Sequence, residues 1–207
     1  MAGGTHHAGY SHGAGYTILN DLALTAAAMS SVSKGRHVLI VDCDVHQGDG
    51  TASIVHERGL SSRVSCLSLH GADNYPHPKA ISTWDVPLPT GTGDEAYMEA
   101  LSNALRVSLE ARIPWLVLYD AGVDIYEGDR LGRLDVTEEG IKRRDRHVIE
   151  TCLDHGAHVA CVIGGGYDVD RDALARRHAI LHHTAAEIWK ERRLWEHNSQ
   201  TSTDSGD

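Results

Sequence analysis

Four short runs in this chain are apolar almost throughout: residues 37–42 (HVLIVD), 64–70 (VSCLSLH), 115–120 (WLVLYD) and 157–163 (AHVACVI). A strand with one wet face alternates apolar with polar, whereas a parallel strand covered by helices on both sides is apolar at nearly every position. Segments of helical period lie between and around these runs. Tyr97, Leu101, Leu105 and Leu109 recur at a spacing of four behind Asp94, which reads as the cap. Ile141, Val148, Ile149, Cys152 and Leu153 share a face after Thr137, and Leu174, His178, Leu181, Ala185 and Ile188 share another between about 172 and 189. A weaker pattern covers roughly residues 16–29. Such alternation predicts an α/β domain, a mostly parallel sheet sandwiched by helices, with any ligand beyond the carboxyl ends of the strands.

The chemistry-bearing residues cluster at those ends. The first run leads into Asp42-Cys43-Asp44-Val45-His46-Gln47-Gly48-Asp49-Gly50. Side chains alternate along an extended chain, so Asp42, Asp44 and His46 face one way and Cys43 and Val45 the other. A carboxylate and an imidazole two residues apart suit a divalent metal, with further acids to orient them, although DxD and GDG are also ordinary turn chemistry. The third run continues into Ala121-Gly122-Val123-Asp124 and, farther on, Asp129. Asp124 is placed to add a ligand from a different strand, and two Asp with one His leave a coordination position open, as catalytic zinc sites do. Asp120, Asp124 and Asp129 read equally well as turn caps. The last run ends in Gly164-Gly165-Gly166-Tyr167-Asp168, where glycines permit close backbone approach and Tyr167 offers a phenol. A phosphate cradle would need a Lys and a Ser or Thr after the glycines, and none follows. His6 and His7, in a glycine-rich stretch, read as a surface pair in isolation and as base candidates beside a metal site.

Together the segments GGTHHA, GYTILNDLA, VLIVDCDVHQGDGTA, SLHGADNYP, DVPLPTGTGDEAY, YDAGVDIYEGDRLGRL, TEEGIKRRDR and GGGYD, in this order and up to about Trp189, resemble the histone deacetylase family, more narrowly its bacterial and class IV-like members. The resemblance implies an arginase/deacetylase-like fold and one Zn²⁺ per chain, held by Asp44, His46 and Asp124. It implies that Tyr167 polarises the amide carbonyl, that His6 and His7 are the paired active-site histidines with His7 as general base and later acid, and that Asp42 and Asp49 hydrogen-bond them. Gly15 and Tyr16 match positions lining an acyl-lysine tunnel, where Phe is more frequent than Tyr, and Gly165 matches a substrate-contacting position. Asp42, Asp44, His46, Ser68 and Leu69 match a monovalent-cation site, for K⁺, built largely from backbone oxygens. The implied reaction is hydrolysis of an N-acetyl-lysine amide, in a protein or a small acetylated amine, to free amine and acetate.

The match begins at the dihistidine loop, so the front strands of such a domain are expected to be missing. Residues 1–195 are expected to form the deacetylase-like domain and 196–207, which contain no apolar side chain, a disordered tail. Nineteen basic against twenty-nine acidic residues, a net charge of −10, disfavour direct nucleic-acid binding and favour cationic partners, leaving the oligomeric state open. No run of 18 apolar residues suggests a membrane span, the N-terminus carries no readable targeting signal, and three of the four scattered cysteines fall in strand-like runs, which together suggest a cytoplasmic location. Two alternatives accompany the enzyme reading. One is an inactive, truncated metal-binding fragment. The other is a ureohydrolase such as arginase, which uses two manganese ions, but DCDVHQGD does not match its DAHxD-type motif.

Overall fold

The computed structural model describes residues 3–33 and 35–196. The elements run α1 (Asp21–Val32), β1 (Val38–Asp42), α2 (Asp49–Glu57), β2 (Val64–Gly71), β3 (Trp84–Leu88), α3 (Asp94–Ala111), β4 (Leu116–Asp120), α4 (Glu138–Asp154), β5 (His158–Val162) and α5 (Arg171–Glu191). The sheet order is β3-β2-β1-β4-β5, and every adjacent pair is parallel, which is the α/β architecture expected. β1 lies at the centre, with Asp42 in register with Ser68 on β2 and with Asp120 on β4.

Strand periodicity divides the core between the two faces. Leu39, Val41, Leu67, Leu69, Val117 and Tyr119 point to one side and are covered by Leu101, Leu105 and Leu109 of α3, Ile141 and Val148 of α4, and Leu181 and Ile188 of α5. Their neighbours Val38, Ile40, Val64, Cys66, Leu116 and Leu118 point to the other side, against Leu22 and Ala26 of α1 and Val55 of α2. Both faces of β1, β2 and β4 are therefore dry, which is why these strands lack an alternating pattern.

The two sheet edges depart from the sequence expectation. β3 was not among the four runs: it is half-exposed, alternates in burial and carries Pro87, which an edge strand tolerates because one row of its N–H groups needs no partner. β5, expected to be covered on both faces, is only partly buried because it forms the opposite edge. The first residue of the expected α3 cap is also different. Gly93 precedes the helix, and the Asp94 carboxylate instead accepts from the Thr137 amide at 2.8 Å and hydroxyl at 2.7 Å. Asp94 thus ties the start of α3 to that of α4, whose own cap is Thr137, with its hydroxyl accepting from Gly140 N. The weak first helix starts only at Asp21, with Asn20 Oδ1 accepting from Ala23 N at 2.9 Å, so residues 16–19 precede it. All four cysteines are free, and only Cys66 and Cys161 lie within strands; Cys43 follows β1 and Cys152 sits on α4. Apart from Glu196, the expected tail lies outside the described residues. Among the described residues, no helix is long and apolar enough to cross a membrane.

His37, at the entry to β1, is 5 % exposed and its Nδ1 has no partner. Burial, reinforced by the Arg112 guanidinium, pushes its pKa down to about 4. The folded chain therefore keeps this ring neutral where the unfolded chain protonates it, and stability falls as pH drops from about 6.5 towards 4. Urea unfolding of wild type and His37→Gln across that window should show a smaller loss of midpoint in the variant.

Candidate active site

Beyond the end of β1 the alternation persists for several residues. Cys43 and Val45 enter the core beneath the sheet's carboxyl edge, so Asp44 and His46 turn the opposite way. Asp44 N donates to Asp42 Oδ1 at 3.1 Å and His46 N donates to Asp44 Oδ1 at 2.9 Å, which fixes the turn. From the end of β4, Asp124 reaches the same place: its Oδ1 accepts from Val45 N at 2.8 Å. His46 Nδ1 lies 3.1 Å from Asp44 Oδ1 and 3.0 Å from Asp124 Oδ2. A third strand end closes the group, since Gly165 N, after β5, donates to Asp44 Oδ2 at 2.7 Å. Residues from three strand ends thus converge as the topology predicts.

Charge is concentrated here without solvent to dilute it. Asp42, Asp44, Asp120 and Asp124 are all buried, and neither Asp120 oxygen has a hydrogen-bond partner. Burial disfavours a charged His46 ring, yet the Asp124 and Asp44 carboxylates more than offset it and raise the pKa to about 10. Burial likewise opposes charge on His6, and Asp42 and Asp44 override it, holding the ring well above its ordinary value. Of the paired carboxylates, Asp44 keeps its charge, well below the usual range despite burial because of His6 and His46, while burial and the Asp44 charge push Asp124 up to about 7. Burial and the Asp42 charge raise Asp120 far above a normal carboxyl. The Asp44, His46 and Asp124 donors, one nitrogen and two oxygens, are suited to a divalent ion, and they form one of two candidate metal-ligand clusters among the described residues. The other is His6, Asp42 and Asp120, in which the imidazole is already committed to Asp42.

The histidine pair is buried, which removes the surface-pair reading. His6 Nδ1 is 2.7 Å from Asp42 Oδ2, and His7 Nδ1 is 2.6 Å from Asp49 Oδ1 at the start of α2. Asn20 holds their loop by donating to His6 O and Ala8 O, and Thr51 N donates to His6 O. A side chain at Gly50 would meet His7 O and Ala8 O at 2.4 Å, so the second residue of α2 must lack a Cβ for the loop to approach.

Tyr167 stands edge-on to His46, ring centroids 5.8 Å apart. Its amide donates to Asp129 Oδ2 at 2.7 Å, while Asp129 Oδ1 accepts from Leu131 N and Gly132 N. Asp129 is thus a turn cap, and it anchors the tyrosine as well. Burial and the nearby Asp44 and Asp124 charges raise the phenol pKa, so Tyr167 remains a hydrogen-bond donor. These groups open on a cavity of about 550 Å³ lined by His7, Gly15, Tyr16, His46, Asp73, Asn74, Tyr75, His77, Leu131, Arg133 and Tyr167. Gly15 has φ +52° and packs on the His7 ring, where a Cβ would come within 2.1 Å of Cδ2. Tyr16 is 90 % exposed at the mouth.

Other expected residues fall elsewhere. Gly165 is not in the cavity lining and instead abuts the Asp44 and Asp124 carboxylates. Ser68 and Leu69 are buried on β2, and the Ser68 hydroxyl lies 3.1 Å from His70 Nδ1. Sequence reasoning missed Tyr75, which stacks edge-on to His7 at 4.9 Å, together with the rim residues Asp73, His77 and Arg133. The available signal was NYPHP, whose two prolines mark a fixed loop.

A Cβ at Gly165 would lie 2.4 Å from Asp124 Oδ2 and 2.5 Å from Asp44 Oδ2. Gly165→Ala should therefore destabilise the chain by about 1–3 kcal/mol, measured by chemical denaturation.

A family model described as the histone deacetylase domain matches residues 1–183. An uncharacterized protein of Picosynechococcus is 45% identical over 188 residues, covering 91% of this chain and 62% of that protein. Histone deacetylase 2 of Arabidopsis thaliana is 31% identical over 172 residues, covering 81% of this chain and 43% of its own length. A probable deacetylase of Archaeoglobus fulgidus is 30% identical over 176 residues, covering 80% and 48%. Among solved structures, a histone deacetylase homologue complexed with SAHA superposes with a TM-score of 0.74 at 25% identity, over 88% of this chain and 50% of that one. An acetylpolyamine aminohydrolase from Burkholderia pseudomallei shares the fold, with a TM-score of 0.72 at 24% identity over 86% and 53%. The chain spans about half the length of these relatives. With one family model accounting for most of its residues, the chain belongs to the histone deacetylase family.

Proposed function

We propose that this chain is a zinc-dependent deacetylase domain, residues 1–195, hydrolysing the amide of an N-acetyl-lysine or a small acetylated amine to free amine and acetate. The observation that carries this reading is the joint placement of the Asp44–His46–Asp124 cluster, two carboxylate-bound histidines and the Tyr167 phenol at one cavity. Asp44, His46 and Asp124 would hold one Zn²⁺, which when bound supplies Lewis-acid polarisation of a carbonyl and acidification of water.

The remaining steps belong to the chain's own residues. Asp49 fixes His7 through Nδ1, which leaves Nε2 to take a proton from the attacking water and later return it to the departing amine. Asp42, and behind it Asp44 and Asp120, hold His6 as a cation that favours developing negative charge. Tyr167 donates to the oxyanion, having been kept protonated by its surroundings. Tyr16 and Tyr75 flank the entrance as aromatic walls for an aliphatic acyl-amine stem. Half-buried Gly165 supports Asp44 through its amide. We assign K⁺ to the patch where Asp42 pairs in register with Ser68, together with Asp44, His46 and Leu69. The acidic chain favours cationic protein tails or polyamines over nucleic acid, and a cytoplasmic location accords with this.

Single-turnover deacetylation of an acetyl-lysine peptide by the Zn²⁺-supplemented chain tests the reading. Asp124→Ala should abolish turnover, and Tyr167→Phe should lower kcat by about 10²–10³ with little change in KM. Zinc bound at one per chain without turnover would favour the metal-binding fragment instead, and absence of both would remove the enzyme reading.

A further inference from the structure

Of the charged run Lys142–Arg146 on α4, Arg144 and Asp145 turn inward and are fully buried. The guanidinium of Arg144 reaches the underside of the site. Its Nε donates to Asp145 Oδ1 at 3.0 Å, and Nη2 lies 2.8 Å from the same oxygen, which also accepts from the Tyr119 hydroxyl at 2.6 Å. Nη1 donates to Gly122 O at 2.5 Å and to Cys43 O at 3.4 Å, and Nη2 donates to Ala121 O at 3.4 Å. Every N–H of the group is thereby engaged.

The acceptors lie on the two segments that carry the candidate ligands. Cys43 immediately precedes Asp44, and Ala121 and Gly122 lead into Asp124. Gly122 itself packs against Asp44, where a Cβ would meet Oδ2 at 2.4 Å. A buried ion pair needs only its carboxylate, and hydrophobic replacement of such pairs is often neutral. Here much of the guanidinium is spent on main-chain carbonyls at the ends of two different strands. A planar fork can span both loops at once, while an ammonium group cannot.

We infer that Arg144 is a positioning residue for the metal-ligand set, clamping the Cys43, Ala121 and Gly122 carbonyls so that the Asp44 and Asp124 carboxylates face a common point. The inference rests on the reading that these carboxylates hold a divalent ion. It assigns Arg144 no contact with substrate.

Zinc affinity of the full chain, measured by competition with a chromophoric chelator, tests it on wild type, Arg144→Lys, the double variant Arg144→Met/Asp145→Asn, and Arg143→Met as an exposed control. The double variant removes the clamp without leaving an unpaired buried charge and retains an acceptor for Tyr119. Both Arg144 variants should bind zinc about 10–100-fold more weakly, with the metal-free melting temperature of the double variant near that of wild type and Arg143→Met unchanged. Folded Arg144 variants that bind as tightly as wild type would overturn the inference while leaving the metal site intact. Unfolding of both metal-free variants would overturn it in favour of a purely structural role. Failure of wild type and control alike to bind zinc would overturn the site itself, and the inference with it.

Discussion

Four carboxylates, Asp42, Asp44, Asp120 and Asp124, are buried together at the carboxyl edge of the sheet, and the surrounding structure is organised around their mutual repulsion. Unpaired charge in a dry interior is costly, so each acid must be neutralised, protonated or given donors. The fold uses all three routes. His6 and His46 supply positive charge, Asp120 and Asp124 are pushed towards the protonated form, and backbone amides donate to Asp42 from Asp44, to Asp44 from His46 and Gly165, and to Asp124 from Val45. Four acids share two imidazoles, so the cluster balances its charge by holding protons on His6, His46, Asp120 and Asp124.

Tight backbone approach makes this crowding feasible. Gly122, Gly164 and Gly165 touch carboxylates where no Cβ fits, and Gly50 admits the histidine loop. The hydrophobic layers on either face of β1 and β4 set the spacing, since the strand ends can move only if Leu39, Val41, Val117 and Tyr119 also repack.

The parallel sheet was legible because its central strands are dry on both faces, and the cluster was legible because alternation carries past the end of β1 through Asp44 and His46. β3 escaped because Pro87 and half-exposed positions erase the buried-strand pattern, and β5 was over-buried in expectation because an apolar run does not reveal that it lies at an edge. Asp94 looked like a cap from composition alone, but its carboxylate serves Thr137, a partner 43 residues away. Arg144 was hidden by its neighbours: a basic run suggests a solvated face, and only the inward spacing of Ile141, Arg144 and Val148 distinguishes it. The family resemblance supplied roles for single residues that periodicity could not, including Tyr167 and the two histidine partners.

The cavity has two parts of different mechanical origin. Its floor is made of strand ends welded to the core. The wall carrying Asn74, Tyr75 and His77 is secured by Lys79, whose ammonium donates to Asn74 O and Pro76 O within the same loop. The loop is also tied to the floor, since Gln47, beside His46, donates to Ala80 O and accepts from Ala80 N. The rim therefore consists of loop side chains that stand out from the sheet, while the residues of the floor are under the joint constraint of packing and buried charge.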